Sequence, residues 1–529
     1  MYARQCVRRG AVAALLCLTL GLMGCGRSAP QVGEPGEISG FIGGAAADAP
    51  RAAIVAREVL SGGGTAVDAS VAAYFTLAVS YPVAAGLGGG GVCMVYDAPS
   101  ETASSLEFLP RSPAAGGAVA VPGAVRGMAA LHARYGRFDW QDLLGPAERF
   151  AREGHSVSRA LTGALAKSAP QILANQDMRA IFGRDEGVVE EGQMLVQIEL
   201  GAVIRQIKLR GSGSFYLGQT AGLLVEGIEA AGGRVTAEDL RTYQPVWHEV
   251  EAMRLGARDL YTVTAPPVGG VLAGQMWAML ADADRYAETA ADERPHLLAE
   301  VSARAFADRA ADPAANRLSV FRAHSLVSSY RPEVHTVLRV ADAVPWGSHP
   351  NGADGYTTSF VVADRGGSVV ACGFTMNGPF GMGGMAPITG IALAPAATAD
   401  SSAYLGPVLV GDREIGGIVY AAAASGGASA PAAMIRSTFA ALYDRAPLDQ
   451  AIAGPRVFHP GVPDQLYYEP ALDKAALAAL WERGHFYRPA SELGLVNAMR
   501  CLGGIVRRPA TCSFEVDPRG FGLALGGGS

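Results

Sequence analysis

Two threonine hydroxyls are predicted to lie side by side at one end of a β-hairpin. Residues 357–364 and 368–375 are rich in β-branched side chains, and Arg365-Gly366-Gly367 separates them as a turn. If the strands pair symmetrically about Gly366, Thr357 faces Thr375, with their Cβ atoms roughly 5 Å apart. Asn377, two residues further on, brings an amide to the same end. Threonine pairs are common in sheets, so the pairing alone favours a structural role over a chemical one.

Other motifs exclude several kinds of chemistry. Gly86-x-Gly88-x-x-Gly91 matches a dinucleotide-binding fingerprint, but a helix precedes it and a strand follows, the reverse of the order that fold requires. The chain has no Gly-x-Ser-x-Gly elbow, no His-Glu-x-x-His and no phosphate-binding loop. Its nine histidines are dispersed along the sequence. We therefore expect neither a metal nor a cofactor.

Composition bounds the architecture. The 529 residues are half apolar, enough for one large domain or two, and the formal net charge is only −6. No basic excess indicates a nucleic-acid partner.

The N-terminal segment predicts export. Arginines precede an apolar run from Ala11 to Met23, which is too short for an ordinary membrane span and ends at Leu22-Met23-Gly24-Cys25. This resembles a bacterial lipoprotein signal over residues 1–25, with lipidation of Cys25 anchoring a periplasmic protein to its membrane; the alternative is an ordinary cleaved signal. Residues 26–40 are predicted to form a flexible tether.

The remaining cysteines divide into two pairs by their surroundings. Cys501 and Cys512 either close a small disulfide loop or remain unpaired thiols, whereas Cys93 and Cys372 lie in apolar strand-like runs and are expected to be small core residues.

Helical patterns dominate the first half of the chain and strands follow position 357. Thr65 is a candidate cap for a buried helix over residues 66–81, and a glycine run leads from it into a strand over 92–96. Residues 313–355 are expected to form an exposed connection. The order of elements fits a layered α/β fold.

Several stretches, in order and spacing, resemble the gamma-glutamyltranspeptidase family. The match runs from about residue 40 to the end of the chain, and its pieces are Gly62-Gly63-Gly64-Thr65-Ala66-Val67-Asp68-Ala69, Gly86-Leu87-Gly88-Gly89-Gly90-Gly91, Val121-Pro122-Gly123, Arg134-Tyr135-Gly136, Ala151-Arg152-Glu153-Gly154, and Ala305-Phe306-Ala307-Asp308-Arg309. The resemblance implies a four-layer αββα sandwich of the N-terminal-nucleophile hydrolase type.

The resemblance also implies the chemistry. Thr357 falls at the family's nucleophile, although Ser359 replaces the histidine of its Thr-Thr-His motif. Cleavage of the Tyr356–Thr357 bond by the chain itself would free the α-amine that serves as base. Residues 41–356 and 357–529 would then form a heterodimer of two fragments that share one composite domain.

Four further positions acquire roles from the same resemblance. Thr375 matches the threonine that steadies the nucleophile, and Asn377 completes that Thr-x-Asn motif. The glycine pair Gly426-Gly427 matches the oxyanion-hole amides.

The residues with which the family holds a glutamyl substrate do not match. Leu109 stands in place of the arginine, with Arg111 two positions away as a potential substitute. Ala399 replaces the aspartate that holds the amine, and Ala396 replaces an acceptor. Ser401 and Ser402 replace the serine pair only if the alignment slips.

Three hypotheses remain open. The chain is an amidohydrolase or acyltransferase for a small-molecule amide or peptide with an altered acyl pocket, or a gamma-glutamyl enzyme whose contacts have moved, or a non-catalytic envelope binding or scaffold protein with the same fold.

Overall fold

The computed structural model describes residues 40–185, 187–250, 252–264, 267–311, 320–339, 356–396 and 404–526. The predicted signal segment, its Cys25 and nearly all of the tether therefore lie outside the described residues. Within the described part, no helix is both long and apolar enough to cross a membrane.

The strands, in chain order, are β1 (Gly43–Ala47), β2 (Gly90–Asp97), β3 (Thr102–Glu107), β4 (His155–Ser156), β5 (Gly183–Arg184), β6 (Gly187–Val188), β7 (Met194–Leu195), β8 (Val246–Glu249), β9 (Met253–Leu255), β10 (Arg258–Thr262), β11 (Thr357–Asp364), β12 (Val369–Thr375), β13 (Met385–Ala386), β14 (Ile391–Ala392), β15 (Val408–Asp412), β16 (Ile418–Ser425), β17 (Val457–Phe458), β18 (Leu466–Tyr468), β19 (Tyr487–Pro489), β20 (Leu495–Cys501), β21 (Cys512–Glu515) and β22 (Leu523–Gly526).

The α-helices are α1 (Pro50–Ser61), α2 (Ala66–Ser80), α3 (Ala124–Tyr135), α4 (Trp140–Glu153), α5 (Arg159–Ala174), α6 (Gln176–Phe182), α7 (Ile198–Arg210), α8 (Gly213–Tyr216), α9 (Gln219–Ala230), α10 (Ala237–Thr242), α11 (Gly269–Ala281), α12 (Arg285–Glu288), α13 (Arg294–Ala311), α14 (Val320–Val327), α15 (Ala430–Leu442), α16 (Leu448–Ala453) and α17 (Lys474–Glu482).

Two antiparallel sheets form the centre of the fold. The larger has the strand order β22-β1-β11-β12-β2-β3-β8 and the smaller β21-β20-β16-β15-β10-β9. Strands from both sides of the Tyr356–Thr357 bond occur in each sheet, so the two regions of the chain share one architecture.

The alternation of side chains along the strands accounts for the layers. In β11, Val361 and Ala363 point into a core that also contains Leu409 and Met499 of the smaller sheet. The intervening residues Phe360 and Val362 instead join a core with helices α1–α4. The outer face of the smaller sheet packs against α11, α13 and α15. The predicted four-layer αββα sandwich is thereby confirmed.

Helix α2 shows how local sequence sets the element that lies behind the hairpin. The Thr65 side chain accepts a hydrogen bond from the Asp68 N–H, and the Asp68 carboxylate accepts from the Thr65 N–H at 2.9 Å, a complete capping box. Every residue from Ala66 to Ser80 is buried. The predicted cap and helix are confirmed. The predicted connection over 313–355 is wrong in part, because residues 320–327 form helix α14.

Both cysteine pairs are disulfides. Cys501 lies opposite Cys512 on β20 and β21, and the two are bonded. Cys93 and Cys372 are also bonded, which corrects the expectation that they are isolated core thiols. They are 279 residues apart, and only the pairing of β2 with β12 brings them opposite one another.

Candidate active site

The predicted hairpin register is confirmed. Strand β11 begins at Thr357, which lies opposite Thr375 on β12, and Thr375 in turn lies opposite Gly90 on β2. The Thr357 side chain is buried, at 7% exposure. The peptide bond to Tyr356 occupies its amine in the uncut chain, so its hydroxyl is the reactive group available.

The backbone N–H of Gly426 donates to the Thr357 Oγ1 at 2.9 Å. Strand β16 ends at Ser425, and Gly426 then turns the chain with φ 104°. A left-handed φ favours glycine, which has no Cβ to clash. Gly427 follows with φ 73° and begins a short 3₁₀ helix. An N–H fixed in this way can stabilise negative charge that develops on the Thr357 Oγ1 or on a carbonyl oxygen whose carbon this oxygen attacks.

Thr375 holds the turn that follows β12. Its Oγ1 accepts a hydrogen bond from the Asn377 N–H at 2.8 Å, and among the described residues no hydrogen bond joins this hydroxyl to Thr357. Asn377 adopts φ 54°, and its side-chain amide donates to the Pro395 carbonyl at 3.1 Å. The two residues lie at the end of the hairpin where they were predicted, but their hydrogen bonds shape the loop beside Thr357.

A buried carboxylate lies immediately behind the nucleophile position. Asp48 Oδ2 accepts hydrogen bonds from the Thr358 hydroxyl at 3.0 Å, the Ser359 N–H at 2.9 Å and the Ser425 hydroxyl at 3.2 Å. Its Oδ1 accepts from Asn497 Nδ2 at 2.7 Å. Burial raises the pKa of Asp48, and these donors oppose the rise.

Asp48 and Asn497 were not predicted from the sequence. Asp48 follows a short alanine run and Asn497 lies inside an apolar strand, and neither belongs to a motif with a chemical signature. The sequence offered one signal, Asn497 within an otherwise apolar strand. A buried polar side chain requires hydrogen-bond partners, so this position indicates a polar contact inside the core.

Leu109 lies in the row of residues that starts at Thr357. Val92 pairs with Glu107, and continuing this register places Leu109 opposite Gly90. The row therefore runs from Thr357 through Thr375 and Gly90 to Leu109, and three strand spacings separate its ends by about 14 Å. The side chain is half-buried and packs against the core between the sheets. Leu109 therefore lies towards the same end of the sheet as Thr357.

The Arg111 side chain is already bound to neighbouring residues of the same chain. Its guanidinium forms an ion pair with Glu107 at 2.8 Å and donates to the Gln244 carbonyl at 2.9 Å. It also lies over the Tyr243 ring, 4.9 Å from the centroid. To bind a substrate carboxylate, the side chain would have to leave these contacts.

One of the remaining predicted substrate-binding positions lies among the described residues. The Ala396 N–H donates to the Ala118 carbonyl at 2.7 Å, next to the Pro395 that Asn377 contacts. Ala399, Ser401 and Ser402 lie outside the described residues.

Tyr356 packs against an apolar cluster next to the nucleophile position. The half-buried ring contacts a group of buried side chains that includes Leu165 of α5, Phe182 of α6 and Phe380. The side chain that precedes Thr357 therefore packs against an apolar surface.

Four histidines that are far apart in the sequence meet in a second polar cluster. His296, His335, His459 and His485 are all buried, and three of them present nitrogens within 4.8 Å of one another. His335 bridges two carboxylates, with Nδ1 2.5 Å from Glu300 and Nε2 2.7 Å from Asp464.

The hydrogen bonds of this cluster favour a polar core over a metal site. The His459 Nδ1 accepts from the Gly461 N–H at 3.0 Å, so its proton lies on Nε2, 3.2 Å from Asp464. Both nitrogens of His335 face carboxylates, which raises the pKa of this imidazole against the effect of its burial.

Comparison with known proteins identifies the family. The family model described as Gamma-glutamyltranspeptidase matches residues 52–405 and 401–526. Scoloptoxin SSD14 of Scolopendra dehaani is 27% identical over 87% of this chain and 89% of its own length. The Glutathione hydrolase proenzyme of Pseudomonas aeruginosa is 29% identical, with coverages of 89% and 92%. The Acylase ACY 1 proenzyme of Pseudomonas sp. strain SE83 is 28% identical, with coverages of 89% and 90%.

Solved structures agree on the fold. The cephalosporin acylase from Bacillus halodurans superposes with a TM-score of 0.75 at 20% identity, covering 95% of this chain and 99% of that one. With the Thr357 hairpin, the two facing sheets and a family match along nearly all of the described chain, this protein belongs to the gamma-glutamyltranspeptidase family of N-terminal-nucleophile hydrolases.

Proposed function

We propose that this protein is a self-cleaving amidohydrolase in which Thr357 is the nucleophile and the acyl pocket differs from a glutamyl site. The observation that carries the proposal is the contact of the Gly426 N–H with Thr357 Oγ1 at 2.9 Å. It combines a buried hydroxyl at the start of a strand with a fixed donor for developing negative charge.

Maturation follows from this geometry in two balanced steps. The Thr357 Oγ1 attacks the Tyr356 carbonyl carbon, the C–N bond breaks, and the released α-amine takes up the hydroxyl proton. Water then hydrolyses the ester, which leaves a carboxylate on Tyr356 and regenerates the hydroxyl. The new amine has an ordinary pKa of about 7.7–8, suited to a base near neutral pH.

Turnover repeats the same chemistry on a separate amide. The α-amine takes the proton from Oγ1 as the oxygen attacks the substrate carbonyl, and the Gly426 and Gly427 N–H groups stabilise the oxyanion. The leaving amine receives the proton, and water or an acceptor amine then releases the acyl group. Loss of one oxyanion donor costs about 3–4 kcal/mol in other enzymes of acyl transfer.

Two features support an acyl group without the charges of γ-glutamate. Leu109 is uncharged and lies in the row of residues that starts at Thr357. The nearby Arg111 already pairs with Glu107 and donates a hydrogen bond to Gln244. The Tyr356 acyl group, the first that Thr357 attacks, lies against an apolar cluster. A γ-glutamyl ammonium and carboxylate require charged or strongly polar partners when they are desolvated.

An assay of acyl donors tests this proposal. The assay measures the ratio of kcat/KM for an uncharged arylacyl anilide to kcat/KM for a γ-glutamyl anilide of similar size. We expect this ratio to be about 10²- to 10⁴-fold higher than at a glutamyl-specific site, because about two charge-assisted contacts are absent. Efficient cleavage of the γ-glutamyl compound contradicts the altered pocket, and Arg111→Ala then shows whether Arg111 binds its carboxylate. If no amide is cleaved and the chain stays intact, the non-catalytic binding or scaffold hypothesis is favoured.

We further propose that the protein is exported and anchored in the periplasm through Cys25. The two disulfides support an oxidising compartment. Incorporation of an alkyne-labelled fatty acid by the wild-type chain and its loss in Cys25→Ser is the expected result. Equal labelling of both chains, or of neither, contradicts the anchor.

A further inference from the structure

The carboxylate of Asp48 connects the two sides of the candidate active site. One side is β11, where the residues that follow Thr357 donate through the Thr358 hydroxyl and the Ser359 N–H. The other is the end of β16, where Ser425 directly precedes the Gly426 that contacts Thr357. A single oxygen, Asp48 Oδ2, accepts from both sides.

The other carboxylate oxygen fixes the orientation of the group. Asn497 Nδ2 on β20 donates to Asp48 Oδ1 at 2.7 Å and also contacts the Ser359 hydroxyl at 2.8 Å and the Ser359 carbonyl at 3.0 Å. Asn497 is fully buried, and Asp48 is 8% exposed. In each hydrogen bond described for the Asp48 carboxylate the partner is the donor, so the site suits a carboxylate and leaves an amide in its place with unmatched N–H groups.

We propose that Asp48 is a positioning residue that sets the distance between the Thr357 hydroxyl and the Gly426 N–H. It touches neither the scissile bond nor the oxyanion, and it acts through Thr358, Ser359 and Ser425. This inference rests on the proposed function of Thr357. Because a small displacement of a nucleophile from its oxyanion donor costs rate more than binding, the effect is expected in kcat.

The same strand provides a matched control. Asp364 ends β11, is also 8% exposed, and accepts hydrogen bonds from the N–H groups of Ala66 at 2.9 Å, Gly366 at 2.8 Å and Ser368 at 3.2 Å. It lies seven residues from Thr357, about 24 Å along the strand. Asp364→Asn therefore removes a similar buried carboxylate without reaching the nucleophile.

The experiment compares Asp48→Asn with Asp364→Asn by the rate of self-cleavage, by kcat and KM for the best anilide, and by melting temperature. We expect both variants to melt at lower temperature, but only Asp48→Asn to lose about tenfold or more in self-cleavage rate and kcat, with KM within about twofold of wild type. Equal losses in the two variants, or a wild-type kcat in Asp48→Asn, overturn the inference.

Ser425→Ala keeps the proposal testable if Asp48→Asn does not fold. It deletes one donor to Asp48, and we expect a several-fold loss of kcat that is not additive with Asp48→Asn where the double variant is soluble. An unchanged kcat in Ser425→Ala overturns the proposed positioning role of Asp48. A wild-type chain that neither cleaves itself nor turns over an amide refutes the proposed function instead.

A second, independent observation concerns the Cys93–Cys372 disulfide. The proposed cleavage falls between these residues, so Cys93 belongs to the larger fragment and Cys372 to the smaller one. Cys501 and Cys512 both belong to the smaller fragment. On the basis of the same proposed cleavage, we infer that the mature protein is a heterodimer whose two fragments are covalently joined by the Cys93–Cys372 bond.

The position of the bond indicates its effect. It joins β12 to β2 three residues from the row that contains Thr375 and Gly90. Fragments held by packing alone separate on dilution, whereas a cross-linked pair stays together at any concentration. The bond thus preserves the shared sheet after the chain is cut.

Denaturing gels after alkylation of free thiols test the link. With reductant the wild type is expected to show two bands, and without reductant one band of full mass. Cys372→Ser is expected to show two bands in both lanes, and the control Cys501→Ser to behave as wild type. Two wild-type bands without reductant overturn the link. One band with reductant refutes cleavage. In that case mass spectrometry of the unreduced, alkylated protein shows whether Cys93 carries the alkyl group, which it can do only if the disulfide is absent.

Discussion

Replacing Thr375 by valine tests the loop that borders the nucleophile. The substitution keeps the shape of a side chain that is 2% exposed but removes the oxygen that accepts from the Asn377 N–H at 2.8 Å. That N–H is then left without its acceptor, and a buried unsatisfied donor costs about 1–3 kcal/mol. The loss falls on Asn377, whose φ of 54° lies in the left-handed region, which asparagine adopts more readily than most other non-glycine residues.

If the loop relaxes in response, Asn377 moves away from Pro395 and the end of the hairpin loses its shape. An effect of about 1–3 kcal/mol that fell wholly on the reaction barrier would slow self-cleavage about 5- to 150-fold. The assay is a time course of fragment appearance for purified precursor. Thr375→Ser, which retains the hydroxyl, is expected to mature within a few-fold of the wild-type rate. Equal rates for the valine and wild-type chains would refute this account of the loop.

Three further predictions follow from individual contacts. Ser359→His, which restores the family motif, is expected to lower the melting temperature, because Ser359 is fully buried against Asn497 and overpacking costs about 1–3 kcal/mol; Ser359→Ala is the milder control. Gly426→Ala is expected to slow self-cleavage strongly, because its Cβ would lie 2.9 Å from Gly494 Cα at a φ of 104°, and relief of this clash displaces the N–H that contacts Thr357; processing at the wild-type rate would contradict the need for this N–H in its present position. Burial lowers the pKa of His155 from 6.5 to about 4. Between pH 6.5 and pH 4 this imidazole is therefore protonated in the unfolded chain and neutral in the folded chain. Stability attributable to His155 is complete above pH 6.5 and decreases by about 3 kcal/mol towards pH 4, and a pH series of melting curves with His155→Gln should show a shallower decline.

The hairpin was predictable because the residues that determine it are close together in the sequence. The turn at Gly366 and the β-branched runs on each side fix a symmetric register, and Thr357 faces Thr375 as expected. Helix α2 was likewise predictable, because Thr65 and Asp68 form its cap within four residues.

Features that depend on distant pairing were not predictable. The Cys93–Cys372 bond and the contacts of Asp48 with β11 and β16 join residues that are close only in the folded sheets. The histidine cluster arises in the same way, since its members come from separate elements of the fold.

The predicted substrate-binding positions show a different limit. A gapless alignment puts Leu109 in place of the family's arginine, but it does not show that Arg111 is already paired with Glu107. Whether a nearby cation can replace a missing one depends on its existing partners, and these are set by tertiary packing.

The central claim is that Thr357 becomes an N-terminal nucleophile, and sequencing of the mature protein tests it most directly. Purified wild-type protein is separated on a reducing denaturing gel, and the smaller fragment is subjected to N-terminal sequencing. The account predicts the sequence Thr-Thr-Ser-Phe, beginning at Thr357, and an uncut chain for Thr357→Ala. A protein that hydrolyses amides as one intact chain, or a fragment that begins at any other residue, would contradict it.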